Sequence, residues 1–337
     1  MFSFSEIVGH ESIKEHLQTA IREEKPFHAY IFQGDVGVGK ETLAKTFAAG
    51  LMCQGASQGS GSLNMEKPCG ACVSCRQMES GNHPDVIWVK RERASLGVEE
   101  IREQLCNSME IKPFSSPYKI YIVPEAEKMT EAAQNALLKT IEEPPEYGVV
   151  ILLTSNLSGL LTTIQSRCLT LDFRPLSTHA VEEYLKSQCQ IPDYLAKASA
   201  AFAQGNLGKA MRYAKSEDFI ERKDSILSLL RRVPDMTVTE MLEVIKELGT
   251  RGDEVRDYID LMELWYRDVL IFKATKNINQ LFFQEESTSI SKEAGRRSYE
   301  KIEEILQAFE KAKFRLKANV SFEVAMELML LVMKNNS

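Results

Sequence analysis

Apolar positions in the first half of the chain fall in short runs, whereas in the second half they recur every three or four residues. Five runs read as strands: Tyr30 to Phe32, Val86 to Val89, Lys119 to Val123, Val149 to Thr154 and Leu169 to Phe173. The fourth is an unbroken β-branched and leucine segment, the pattern of a central strand covered on both faces. Helical patterns lie between them. Ile7, Ile13, Leu17 and Ile21 share one face, with a break at Gly9-His10; Glu41 to Met52 and Val98 to Met109 follow. Thr130 stands where an N-cap belongs, before a helix through Leu137, Leu138 and Ile141 that Pro144-Pro145 stops. Strands alternating with helices predict a parallel, doubly wound α/β domain over about the first half.

After Arg174-Pro175 the pattern is helical throughout: Thr178 to Ser187, Tyr194 to Ala203 and Leu207 to Lys215 form one compact group. Met241 to Leu248, Val255 to Lys273, Tyr299 to Leu316 and Val320 to Met333 follow, with polar joints at Thr250 to Asp253 and Glu285 to Ser291. The segment Gln54 to Glu66, rich in Gly and Ser and without periodicity, reads as a flexible insertion.

At 337 residues the chain is long enough for two or three domains. No apolar run approaches the roughly 18 to 20 residues needed to span a bilayer. The start, Met-Phe-Ser-Phe-Ser-Glu, lacks the order of a signal peptide, so a cytoplasmic location is expected. A net charge of −7 argues against a protein that coats nucleic acid by charge alone.

Three stretches carry chemistry. The first runs from the strand at Tyr30 through Gly34-Asp-Val-Gly37-Val-Gly39-Lys40 into a helix. This is the order of a phosphate-binding loop, in which backbone N–H groups, the helix N-terminus and the Lys40 ammonium surround a nucleotide's phosphates. The next residue, where Mg²⁺ takes a Ser or Thr hydroxyl, is Glu41, and Thr42 comes one position late. In nucleotide hydrolases of this build a strand ends in Asp-Glu, the Asp holding Mg²⁺ and the Glu positioning water. Here Ile120-Tyr-Ile-Val123 ends in Pro124-Glu125, so the Asp position has no ligand atom and Glu125 is either a remnant or a solvated loop carboxylate.

The second is Cys69-Gly-Ala-Cys72-Val-Ser-Cys75, with Cys53 closing the preceding helix. Four thiolates with C-x-x-C spacing suit a tetrahedral, structural Zn²⁺ with no open position. A redox pair is the competing reading. The third is Ser166-Arg167-Cys168. On spacing alone Arg167 is either a surface charge in a salt bridge or an arginine finger delivered to a neighbouring subunit's γ-phosphate.

Several motifs occur together: Val8-Gly9-His10, His28-Ala-Tyr30, the loop Gly34 to Lys40, the four cysteines, His83-Pro-Asp85, Asn135 to Pro145 and Ser166-Arg-Cys168. In this combination the chain closely resembles bacterial clamp-loader subunits of the AAA+ class, from end to end. The resemblance implies an AAA+ P-loop α/β domain with a parallel sheet over 1–174, carrying a zinc-binding insertion at about 53–76. A small helical lid domain at 175–215 and an all-α C-terminal collar domain for oligomerisation at 216–337 would follow. It further implies a hetero-pentamer with gamma/tau motor and delta subunits that uses ATP to place a sliding clamp on primed DNA, without a membrane.

Active motors of that class keep the Ser/Thr after the loop lysine, the Asp-Glu pair and an arginine in the lid. This chain has Glu41, Pro124 and Gly208 at those places. The expectation is therefore a degenerate loop (Gly34, Gly37, Gly39, Lys40, Thr42) that does not hydrolyse ATP, a doubtful Glu125, a structural zinc on Cys53, Cys69, Cys72 and Cys75, and Arg167 acting in trans. An active motor of the same class, with metal binding rescued by Thr42 or Glu125, is the alternative.

Overall fold

The computed structural model describes residues 2–55, 68–216, 219–249, 255–318 and 320–335, arranged in two compact units, Met1–Arg212 and Tyr213–Ser337. Residues 56–66 of the expected insertion and the joint at Thr250 to Asp253 lie outside the described residues.

In the first unit five parallel strands, β1 (Ala29–Gln33), β2 (Val86–Trp88), β3 (Lys119–Val123), β4 (Gly148–Thr154) and β5 (Leu169–Asp172), stand in the order β2-β3-β4-β1-β5. β1 sits between β4 and β5, with Tyr30 opposite Ile151 on one side and Leu169 on the other. Successive residues of a strand point to opposite faces, and each face has its own core. Tyr30, Phe32, Ile122 and Ile151 pack with the helices Glu11–Arg22 and Lys40–Met52. Ile31, Tyr121, Val123 and Leu152 pack with the helix Glu131–Glu142. Every residue of β4 is buried, as its continuous apolar run requires.

The predicted helix over Val98 to Met109 is α-helical at both ends with a π-helical segment, Arg102–Cys106, between. The Thr130 hydroxyl accepts from the N–H of Ala133 and caps the next helix as expected. Three helices, Thr178–Ser187, Asp193–Ala203 and Leu207–Lys215, follow the sheet.

The second unit is helical among its described residues. The long helices Val255–Thr275, Tyr299–Lys317 and Phe322–Asn335 bury Trp265, Tyr266, Phe309, Met326 and Leu330. The stretch expected as a polar joint at Glu285 to Ser291 is instead a 3-10 turn, Gln284–Glu286, leading into an α-helix, Ser287–Arg296. Ile290 and Ala294, one turn apart and buried, provide the apolar stripe that outweighs the local serines. Glu293 of that helix pairs with the buried Arg297, whose Nη1 donates to the carbonyl of Met333 at 2.9 Å.

Candidate functional site

The glycine-rich loop leaves the C-terminal end of β1 and enters the helix Lys40–Met52. It lines a cleft of about 650 Å³ together with Ile7, Pro124, Glu127, Thr154, Leu176 and Tyr184. Gly37 and Gly39 have φ of 93° and 100°, backbone that only glycine adopts cheaply.

The Lys40 side chain is folded into its own loop, donating to the carbonyl of Gly34 and, at 2.7 Å, to that of Asp35. Burial depresses its pKa. Glu41 is exposed and turned to Lys45, 2.7 Å away, and Thr42 is also exposed on the cleft wall.

The helical segment after the sheet is bonded directly to the loop. Asn206 Nδ2 donates to the Val36 carbonyl at 2.8 Å, and the Gly208 N–H donates to the Gly37 carbonyl at 2.9 Å. A Cβ at Gly208 would stand 2.8 Å from the Gly37 Cα, so any side chain there would have to part the two backbones. An arginine at this position is incompatible with the contact.

At the end of β3 the two carboxylates separate. Glu125 takes a left-handed backbone, φ 47°; it lines the same cleft but is exposed and paired with Arg91 and Lys128 at 2.8 and 2.5 Å. Glu127 faces the cleft: its Oε1 accepts from the Ser155 hydroxyl at 2.6 Å, and its Oε2 is buried with no hydrogen-bond partner among the described residues. Burial alone would raise the Glu127 pKa, but hydrogen bonding led by the Ser155 hydroxyl outweighs it and the net shift is downward. Glu127 is the carboxylate of the two whose charge acts on Lys40, and the strand-end pattern does not point to it.

Cys53 closes the helix Lys40–Met52, and Cys72 caps the helix Val73–Glu79. With Cys69 and Cys75 they bring four Sγ atoms within 4.8 Å of one another, a set that can hold a metal ion. A tetrahedral Zn²⁺ with bonds of about 2.3 Å has S···S edges of roughly 3.8 Å, so the thiols need contract by only about 1 Å or less to bind it. Burial pushes the Cys53 and Cys75 thiols up. Burial acts the same way on Cys69, but N–H donors from Ala71 and Cys72 and the neighbouring thiols draw it down to about 6.

Arg167 precedes β5, and its partners are Thr163 and Ser166 just before it and Glu142 on another helix. Nη1 donates to the Thr163 carbonyl at 3.0 Å, and Nη2 meets Glu142 Oε1 at 2.8 Å. It lines a hollow of about 370 Å³ with Phe27, His28, Ile141, Glu142 and Cys168. These residues precede β1 and β5 or end the helix before β4, so they mark the edge of the parallel sheet where strands begin. The phosphate loop follows the opposite edge, about 16 Å away by the rise of five strand residues. The sheet therefore keeps Arg167 away from the chain's own loop.

This strand order, with a phosphate loop after β1 and a helical segment bonded onto that loop, defines an AAA+ P-loop domain. The family described as DNA polymerase III, delta subunit, matches residues 9–177, and the chain belongs to that clamp-loader family. It is 29% identical to the DNA polymerase III subunit delta' of Bacillus subtilis, over 94% of each chain. It is also 29% identical to the subunit tau of the same organism, over 96% of this chain but only 60% of the tau length. A solved structure, a DNA polymerase III gamma subunit-related protein from Thermotoga maritima, is 18% identical, covering 95% of this chain and 99% of its own at a TM-score of 0.47. No helix among the described residues is long and apolar enough to cross a membrane.

Proposed function

We propose that this chain is the delta-prime-type subunit of a bacterial DNA polymerase III clamp loader, a stator that does not hydrolyse ATP and that lends Arg167 to the site of a neighbouring subunit. One observation carries the reading: Arg167 precedes β5, a strand length from the chain's own phosphate loop, and so is badly placed to serve a nucleotide held there. The chain's own loop also lacks the groups hydrolysis requires. Pro124 offers no ligand, Glu41 is paired with Lys45, and Gly208 meets Gly37 where a lid arginine would stand. Each missing transition-state contact is worth several kcal/mol, about 10²-fold in rate or more.

On this reading Cys53, Cys69, Cys72 and Cys75 hold a structural zinc that ties the helix ending at Cys53 to the helix starting at Val73. The division into a domain at 1–174, a lid at 175–215 and a collar at 216–337 follows the same account. The collar assembles with gamma/tau and delta subunits in a cytoplasmic hetero-pentamer, which carries the sliding clamp and primed DNA. The equal identity to a tau subunit supports a second reading, an active motor in which Thr42 or Glu125 restores metal binding. Phosphate release by the isolated chain separates the two. The stator gives no turnover with Mg²⁺-ATP, and sustained turnover that is lost in Lys40→Ala supports the motor.

A further inference from the structure

The geometry points to Glu142 as the positioning residue of Arg167, an inference that rests on the arginine-finger reading above. Glu142 is the last residue of the helix Glu131–Glu142, fixed in place by the stop that Pro144-Pro145 imposes. Its carboxylate reaches across to Arg167 Nη2 at 2.8 Å, while the Thr163 carbonyl in the short helix Thr162–Gln165 takes Nη1. The guanidinium is therefore anchored at the C-terminal end of one helix, where exposed carbonyls favour a cation, and on a carbonyl of the short helix just before Arg167.

An arginine side chain left to itself spreads over many rotamers, and ordering it at the moment of reaction costs free energy. Two anchors supply that order beforehand. A guanidinium has five N–H donors, so Glu142 and Thr163 can keep one each while the others meet phosphate oxygens of a neighbour's nucleotide. The open hollow bounded by Phe27, His28 and Cys168 leaves the approach clear. Both partners of the pair are about two-fifths exposed, at 40% and 44%, so the anchor is weak enough to adjust and its removal has a moderate effect.

The test is a double-mutant cycle in the reconstituted clamp-loader complex with Mg²⁺-ATP, clamp and primed DNA, using Glu142→Ala, Arg167→Ala and the double variant in this chain, with assembly checked by co-elution. Glu142→Ala is expected to lower kcat of the site this chain serves by about two- to fivefold, the range of a half-exposed ion pair, with KM for ATP unchanged. Glu142→Asp restores part of the loss. In the Arg167→Ala background Glu142→Ala has no further effect, because it acts only through the arginine.

An equal loss in both backgrounds overturns the proposal by making Glu142 merely structural. Faster turnover in Glu142→Ala overturns it by making the pair a parking contact. If Arg167→Ala lowers turnover and Glu142→Ala does not, the positioning role alone fails. If Arg167→Ala itself changes nothing, the finger reading has failed first and the proposal falls with it.

Discussion

Asp85 is almost fully buried and holds the segment before β3 in place, so its removal gives a calculable perturbation. Its Oδ1 accepts from the Phe114 N–H at 2.6 Å; its Oδ2 accepts from the Ser115 N–H at 2.9 Å and the Ser115 hydroxyl at 3.3 Å. Asp85→Ala leaves two backbone N–H groups without a partner. Hydrogen bonds to a charged group contribute about 1.5 to 3 kcal/mol each, reduced here because the donors are only partly buried, so the expected loss is about 2 to 4 kcal/mol. For a unit of this size that lowers Tm by roughly 4 to 16 °C, read by calorimetry or circular dichroism.

The pH dependence fixes the sign. Burial alone would raise the Asp85 pKa, but the Phe114 and Ser115 donors outweigh it and hold it below the ordinary carboxylate value. A depressed folded pKa contributes stability that is present above about 3.9 and lost as pH falls through the folded value. The gap in Tm between wild type and Asp85→Asn should therefore be full at neutral pH and close under acid. A gap that is constant from pH 7 to pH 3, or an Asp85→Ala protein as stable as wild type, refutes the reasoning.

Three further outcomes follow from the sites. The purified chain should carry about one equivalent of zinc, and chelation should lower its stability by on the order of 4 kcal/mol relative to free zinc at a thousand times Kd; metal analysis without stoichiometric zinc contradicts this. Asn206→Ala removes the donor to Val36 and the acceptor of the Lys209 N–H, so hydrogen exchange should quicken in the first turn of the helix Leu207–Lys215, and unchanged protection would count against Asn206 as its anchor. The isolated chain should release no phosphate from Mg²⁺-ATP, whereas turnover abolished by Lys40→Ala would favour the motor reading.

The sheet was legible because its strands are short, apolar and separated by helices of clear period; β4 reads as buried on both faces from its composition alone. The helix caps at Thr130 and Cys53 were legible for the same local reason. What depends on contacts far apart in the chain was not. Asn206 meets Val36 across 170 positions, and only then does Gly208 become a packing requirement rather than a missing arginine.

Glu127 is not marked by the strand-end pattern, and its bond to the Ser155 hydroxyl, 28 positions away, is what fixes it at the cleft. The loop pattern places the Lys40 ammonium toward phosphate, and in the structure it is bonded to the loop's own carbonyls. The pairing of Arg167 with Glu142 joins two motifs 25 positions apart in the chain, a contact that spacing alone does not reveal.

The central claim is that the chain's chemistry is exported through Arg167. The direct measurement is steady-state ATPase of the reconstituted complex, stimulated by clamp and primed DNA, with Arg167→Ala in this chain only and assembly verified. A finger is worth about 10³- to 10⁵-fold at the site it serves, so that site is expected to fall silent while the complex stays intact. Unchanged turnover in the intact complex would contradict it.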